Sequence, residues 1–335
     1  MKKPLLITYE YPPDIGGVGK YLEQEVLDFG GEVKIMLAQN YSMALWPRWL
    51  ALVWHGCYQL RKNKCDGLWV SHILPIGYIA LIYKKIFNIP YRLYLHGLDV
   101  ARPRASKWKS FWVRVILKHA DEIICNSKAT AELLAYYNKE LIGSMGLSRL
   151  SANPSEGLKG LAIRYPRAQK INPQDYAQVG RKLRQKYHLK NKKILLSIAR
   201  LVKRKGVDLV IRALPDVWKE IPDLTYVVIG DGEEAEHLKQ IAGNNPNVIF
   251  MGAISDQEKY AWLSTCDCFI LTPRNDPNDF EGYGIVYKEA QMFGKPIIGS
   301  RVGGVPEAIG DDGIIIEPDN INEISKAICK ALKYQ

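Results

Sequence analysis

The chain has 335 residues, 47% hydrophobic and 24% charged, a composition that excludes a disordered tail or a fibre and fits two domains of ~150 residues each. Its formal net charge of +11 lies entirely in the first half: residues 1–170 hold 24 Lys+Arg against 13 Asp+Glu, while residues 171–335 hold 22 of each. No run reaches the ~18 apolar residues of a membrane span, and PLLITY is ended by Glu10 and Pro12 too early for a signal peptide. The six cysteines show neither Cys-x-x-Cys nor zinc spacing, so they read as reduced thiols of a cytoplasmic chain that starts at Met1.

In chain order, short apolar runs predict strands at 4–9, 32–38, 67–71, 91–95 and 122–125. Helical patterns fall between them at 18–29, 48–62, 76–87, 107–119 and 127–137. Residues 143–175 are punctuated by Gly and Pro and read as loop and linker. The scheme then repeats, with strands at 193–199, 224–229, 247–250, 267–271, 296–299 and 313–316 and helices at 206–219, 233–243, 256–264, 284–293 and 321–333. This alternation predicts an α/β fold of two doubly wound, Rossmann-like domains, 1–165 and 166–335, facing each other across a cleft. Ligands are expected at the carboxyl ends of the strands, and the sequence places its motifs there.

EYPPDIGGVGKY (10–21) follows the first strand. Gly16 and Gly17 allow close backbone approach, and the next helix offers free N–H groups to an anion. YLHGLDV (94–100) sets His96 at a strand end, with Asp99 as a candidate for orienting a loop or meeting an acceptor. SIARLVKRKG (197–206) places Arg200 and Lys205 five residues apart across a strand-to-helix turn, a fork and a point charge suited to one diphosphate. VVIGDGEE (227–234) brings a second glycine turn, Gly230 and Gly232, and the backbone at Met251 and Gly252 ends another strand where a base edge could be read. Taken singly, these are equally a tight turn, a core histidine, a solvated charge run and a packing turn.

DFEGYGIVYKEA (279–290) is more specific. Glu281 precedes Gly282, Tyr283 and Gly284, a helix begins near Ile285, and Glu289 follows ~5–8 Å along its axis. One carboxylate for sugar hydroxyls, backbone amides for a phosphate and a second carboxylate for a ribose diol suit a nucleotide sugar laid along this turn. GSRVGGVPEA (299–308) adds a further glycine turn.

In type and order these motifs resemble glycosyltransferase family 4, the retaining GT-B enzymes: the glycine turn, His-Gly, Arg-x4-Lys-Gly, the GxG turn, Glu-x7-Glu and GGVPE. The resemblance implies that Gly16 and Gly17 meet the distal phosphate and that His96 meets the transferred sugar. It implies that Arg200 and Lys205 hold the diphosphate, that Glu281 takes sugar hydroxyls, that Gly284 and Ile285 touch phosphate and that Glu289 takes the ribose. It also implies retention of configuration without a protein nucleophile or a metal. The sequence itself contains no Asp-x-Asp to hold one, so no cofactor beyond the nucleotide-sugar donor is expected. Two departures stand out. The Asn-Gly turn common in the family is missing from IRYPRAQKINP (163–173), and ISKAICKALKYQ (324–335) lacks the further helix with which many members cross back to the first domain. EGYGIVYKEA resembles mannosyltransferase members slightly more than others, which implies GDP-mannose as donor, with a UDP-sugar close behind.

The basic half also holds six of the eight tryptophans. Residues 46–64 set Trp46, Trp49, Leu50, Val53 and Trp54 at helical spacing, and residues 102–119 set Lys107, Lys109, Arg114 and Lys118 beside Trp108, Phe111, Trp112 and Val115. Such basic helices read either as core faces with solvated lysines or as an acceptor-side surface in peripheral contact with an anionic membrane. The second reading predicts a lipid-linked or glycan acceptor at the inner face of the cell membrane, in cell-envelope polysaccharide or glycolipid synthesis. The enzyme alternative is a GT-B nucleotide-sugar 2-epimerase. A nicotinamide dehydrogenase lacks its GxGxxG, and a nucleic-acid-binding module leaves Glu281 and Glu289 unexplained.

Overall fold

The computed structural model describes residues 1–12, 16–41, 50–137, 160–276 and 279–333. The chain divides into two compact units, Met1–Arg167 and Ala168–Gln335.

The first unit is built on a fully parallel sheet in the order β2-β1-β3-β4-β5-β6, from β1 (Pro4–Thr8), β2 (Lys34–Leu37), β3 (Gly67–Ser71), β4 (Tyr91–Leu95), β5 (Glu122–Cys125) and β6 (Leu161–Ile163). Every residue of β1 and β3 is buried, as expected of strands covered on both faces. Alternate side chains supply the two faces. Leu5, Ile7, Val70, Leu93 and Ile123 form one core with Leu52, Ile79, Tyr83, Val113 and Ile116. These come from α2 (Leu50–Asn63), α3 (Ile76–Phe87) and α5 (Lys107–His119), a layer in which Tyr78 of α3 meets Trp112 of α5 edge to face. Leu6, Trp69, Tyr94 and Ile124 face the other way, under Tyr21 and Leu22 of α1 (Gly17–Phe29). The short helices α4 (Leu98–Ala101) and α6 (Lys128–Leu133) follow β4 and β5, and Ser127 caps α6 through the Thr130 N–H.

The second unit repeats the design in the order β12-β11-β10-β7-β8-β9, again all parallel: β7 (Lys193–Ile198), β8 (Leu224–Ile229), β9 (Val248–Phe250), β10 (Cys268–Leu271), β11 (Ile297–Ser300) and β12 (Ile314–Ile316). Its helices are α7 (Gln174–Lys186), α8 (Val207–Glu220), α9 (Ala235–Ala242), α10 (Asp256–Thr265), α11 (Ile285–Met292), α12 (Val305–Ile309) and α13 (Ile321–Lys333). Strand order reverses between β1 and β3 in one unit and between β7 and β10 in the other. These switch points open a crevice at the carboxyl ends of the strands.

Most predicted elements stand within two residues of their expected bounds. The helix expected at 127–137 ends at Leu133, and the short α4 and α12 were not among the expected helices. Two more elements differ near the linker. β6 lies inside the stretch read as linker; its three residues are an edge strand too short for a periodic signal. α7 was not anticipated, because its only fully buried residue is Gly180. That glycine packs on Ala261 and Ser264 of α10, and Arg184 anchors the helix through bonds to the Thr265 and Lys192 carbonyls and a 2.7 Å ion pair with Asp267. All six cysteines are free thiols, and Cys266 and Cys268 are both buried. No helix among the described residues is long and apolar enough to cross a membrane.

Candidate active site

In the second unit the loops leaving β7 and β10 carry the charge. After β7 the chain makes a single 3-10 turn, Lys203–Lys205, and enters Gly206 at a φ of 66°. A Cβ there would collide with the Thr272 carbonyl oxygen, so only glycine lets this turn close on the end of β10. Lys205 Nζ lies 2.6 Å from Glu281 Oε2, and the Arg204 guanidinium donates to that same oxygen. Arg204 Nε also stands 2.8 Å from Asp279 Oδ1, an ion pair without hydrogen-bond geometry. The three side chains are 13%, 8% and 16% exposed for Lys205, Glu281 and Arg204. Burial pushes the Glu281 carboxyl up, but Lys205 and Arg204 together outweigh it and hold the group below the usual carboxylate range. Burial pulls the Lys205 ammonium below its ordinary value against the opposing pull of Glu281.

Arg200, expected beside Lys205, is not brought here. Its side chain is exposed and makes no hydrogen bond or ion pair among the described residues. Arg204 takes that place. In the sequence it is one of three consecutive basic residues, and nothing in the pattern marks it from Lys203.

The loop holding Glu281 has no regular structure but is tied at several points. The Arg274 guanidinium pairs with Asp208 in the first turn of α8 and, at 2.6 Å, with Asp319. Ser300 Oγ donates to the Pro273 carbonyl at 2.5 Å, and the Gly304 N–H donates to the Glu281 carbonyl at 3.0 Å. Gly282 and Tyr283 are buried behind Glu281; burial and nearby Glu307 push the Tyr283 hydroxyl up to about 12. Gly284 caps α11 in the left-handed region, and Ile285 opens the helix. Glu281 Oε1, the oxygen the two cations leave, is 3.8 Å from where a Cβ on Gly284 would stand. Tyr287 pins α11 to the end of β10 by donating to the Leu271 carbonyl at 2.8 Å.

Glu289 lies further along α11, 4% exposed, with Oε1 2.6 Å from Lys259 Nζ. Lys259 projects from α10, whose start is fixed by a capping box between Ser255 and Glu258. Sequence reading missed Lys259 too; a single lysine in a helix carries no signal of burial. The remaining expected donor residues are engaged by the protein itself. A Cβ on Gly230 or Gly232 would collide with the carbonyl oxygens of Ala199 and Leu201, so the close approach these glycines permit is to their own chain. The Met251 N–H donates to Val228 at 2.9 Å, and the Gly252 carbonyl accepts from Gly230 at 2.8 Å.

In the first unit, Gly16 precedes α1 and Gly17 begins it; Pro13, Asp14 and Ile15 fall outside the described residues. The Glu10 carboxylate lies against Gly16, where a Cβ would strike it. His96 directly follows β4 and is 8% exposed. Its Nε2 lies 2.9 Å from Ser71 Oγ, which is also 3.1 Å from His72 Nδ1, and its Nδ1 makes no hydrogen bond among the described residues. Burial, reinforced by His72, pulls the His96 imidazole well below its ordinary value, so it stays neutral at neutral pH. Asp99 Oδ1 accepts from the His96 N–H at 3.0 Å and its Oδ2 is buried without a partner; burial pushes this carboxyl up although His72 opposes the rise. His72, with a left-handed φ of 73°, and Ser71 are further residues that sequence reading missed.

Of the expected acceptor or membrane residues, Lys107, Trp108, Lys109 and Arg114 are exposed along α5, Trp108 by 67%. Trp54 on α2 is 79% exposed. Trp112 is half-buried, its ring edge to face with Trp108 and Phe111 of α5 and with Tyr78 of α3. Trp46 and Trp49 fall outside the described residues. Among the described residues no group of three or more His, Cys, Asp or Glu side chains is arranged to hold a metal ion.

Comparison with known proteins decides the family. Residues 180–335 match the profile described as glycosyl transferases group 1, and residues 17–140 match glycosyltransferase family 4. A GDP-mannose-dependent alpha-(1-6)-phosphatidylinositol monomannoside mannosyltransferase of Mycolicibacterium smegmatis is 33% identical over 97% of this chain and 87% of its own length. The chain belongs to glycosyltransferase family 4. A GDP-mannose-dependent monoacylated alpha-(1-6)-phosphatidylinositol monomannoside mannosyltransferase of Corynebacterium glutamicum is 24% identical over 99% of the chain and 89% of its own length. Among solved structures, Anabaena HepE in complex with UDP and glucose superposes with a TM-score of 0.71 at 19% identity, covering 99% of this chain and 90% of that one, which shows the shared GT-B fold. This protein is therefore a glycosyltransferase, and the motif residues described above are read in that light.

Proposed function

We propose that this glycosyltransferase moves a hexose from a nucleotide-diphosphate sugar, GDP-mannose ahead of a UDP-sugar, to a lipid-linked or glycan acceptor, with retention of configuration and without a metal. The observation that carries the reading is the cluster at the β7–β10 switch point: Arg204 and Lys205 converge on Glu281 at the N-terminus of α11, with Glu289 further along the same helix. Two cations and a helix N-terminus neutralise the charge that builds on a departing diphosphate, the task a metal performs elsewhere. Glu281 then takes sugar hydroxyls and Glu289 the ribose diol. Arg200, exposed at the edge of the turn, is free to join the diphosphate when it arrives. His96 offers its Nδ1 to the sugar, and its neutrality keeps a second buried charge away from the reacting carbon. The two mannosyltransferase relatives support GDP-mannose and a phosphoglycolipid acceptor.

The second unit is assigned to the donor and the basic first unit to the acceptor. Trp54, Trp108 and Phe111, all more than half exposed, stand on the same unit as Lys107, Lys109 and Arg114. That combination suits an anionic leaflet at the inner face of the cell membrane. The test is transfer of radiolabelled mannose from GDP-mannose into an organic-extractable product, with anionic membrane lipids as acceptor, in EDTA. Product with an α linkage from an α donor is expected. Product that forms only when a divalent ion is restored, or an inverted linkage, overturns the mechanism. Sugar converted to its 2-epimer without any acceptor overturns the transferase reaction itself.

A further inference from the structure

In the unliganded chain the place read as the diphosphate site is filled by the protein's own anion. Glu281 Oε2 takes both Arg204 and Lys205, just before Gly284 opens α11. One carboxylate therefore occupies both cations that would hold a diphosphate. A ligand phosphate and Glu281 cannot both use them: two anions at one buried site repel, and a carboxylate stripped of its partners at 8% exposure is costly. Resting on the donor-site reading above, we propose that Glu281 is a specificity-determining residue that sets the site against a bare nucleoside diphosphate and in favour of one still carrying its sugar.

A nucleotide sugar displaces Glu281 from the cations but supplies hydroxyls that re-satisfy the carboxylate. A bare nucleoside diphosphate displaces it and supplies nothing. The product of transfer is such a molecule, so the same carboxylate that holds the sugar also hastens departure of the diphosphate once the sugar has gone. Asp279 strengthens the arrangement. It holds Arg204 by its other edge, so the guanidinium stays in place while Glu281 exchanges partners.

The prediction is an opposite movement of two quantities in one variant. Glu281→Gln keeps the side-chain volume and removes the competing charge. Calorimetric titration of the full chain with GDP, UDP and inorganic pyrophosphate in EDTA is the experiment. Bare diphosphates are expected to bind Glu281→Gln on the order of tenfold more tightly than wild type, the scale of one charged hydrogen bond removed. Turnover with the nucleotide sugar is expected to fall in the same variant. Arg204→Met serves as the second variant and is expected to weaken diphosphate binding, which shows that the cation serves the ligand rather than only the fold. Diphosphate affinity equal to or below wild type in folded Glu281→Gln, with wild type binding normally, overturns the competition and leaves the donor site intact. No binding of any diphosphate to wild type or to Glu281→Gln overturns the donor-site reading itself.

Discussion

The buried pair of Glu289 and Lys259 gives a stability prediction whose size follows from the structure. Lys259 Nζ lies 2.6 Å from Glu289 Oε1; the side chains are 11% and 5% exposed. Asp256, the second partner of Lys259 at 3.2 Å, is 48% exposed and needs no partner. Lys259→Met keeps the stem and its packing and removes only the ammonium. What remains is a carboxylate with almost no access to water, and breaking such a pair from one side costs about 3–5 kcal/mol. For a unit of this size the melting temperature moves by roughly 2–4 °C per kcal/mol, so the variant is expected to melt about 6–20 °C lower. Lys219→Met is the matched control. It breaks the Lys219–Asp216 pair, with side chains 74% and 57% exposed, and is expected to leave the melting temperature almost unchanged. Replacing Lys259 and Glu289 together by methionine is expected to recover most of the loss, because no lone charge is left behind. Calorimetry and urea unfolding of the four proteins measure this. A loss for Lys259→Met as small as that of the control means that water reaches Glu289 and that the pair is not buried in solution.

Other residues yield shorter tests. The carboxyl of Glu281 is held below the usual range, so its contribution is present above the unfolded value of ~4.5 and lost as pH falls through the lower folded value; the stability advantage of wild type over Glu281→Gln should shrink on acidification below that point, and an advantage constant from neutral pH into acid refutes the pairing. His96 is depressed by burial, so its ring should stay neutral as pH falls through ~6.5 while an exposed histidine titrates there, which ¹⁵N NMR of the labelled protein reads directly. Ser71 has one hydroxyl proton and two acceptor lone pairs, so when both rings are neutral at most one of His72 Nδ1 and His96 Nε2 lacks a proton; spectra with His72 protonated only on Nε2 and His96 only on Nδ1 exclude this bridge. Trp108→Ala and Lys107→Glu should each weaken co-sedimentation with anionic vesicles severalfold at low salt, at ~1 kcal/mol per cation near the leaflet; unchanged binding removes α5 from any membrane surface.

Sequence periodicity located the two sheets because parallel strands covered on both sides read as continuous apolar runs, as in β1 and β8, whose residues are all buried. It failed where burial is not carried by apolar side chains. α7 hides only a glycine completely and is anchored largely by Arg184, so its sequence looks solvated. The site divides the same way. Glu281, Gly284 and Glu289 were legible because glycines flanking spaced carboxylates at a helix start are unusual in themselves. Arg204 and Lys259 were not, because what distinguishes them from neighbouring lysines and arginines is a carboxylate 77 or 30 residues away.

A loop without helix or strand still holds Glu281 against both cations, and its ties explain how. Asp279 and Glu281 grip Arg204 from two sides, the Arg204 carbonyl accepts the Arg274 N–H at 2.8 Å, and Arg274 reaches on to Asp208 and Asp319. The charges alternate along this chain of contacts, so each group is neutralised by the next. Lys205 is the member whose charge burial most disfavours. Its carboxylate partner is Glu281, so a ligand anion that takes Lys205 must take it from Glu281, and the ties of the loop set what that exchange costs.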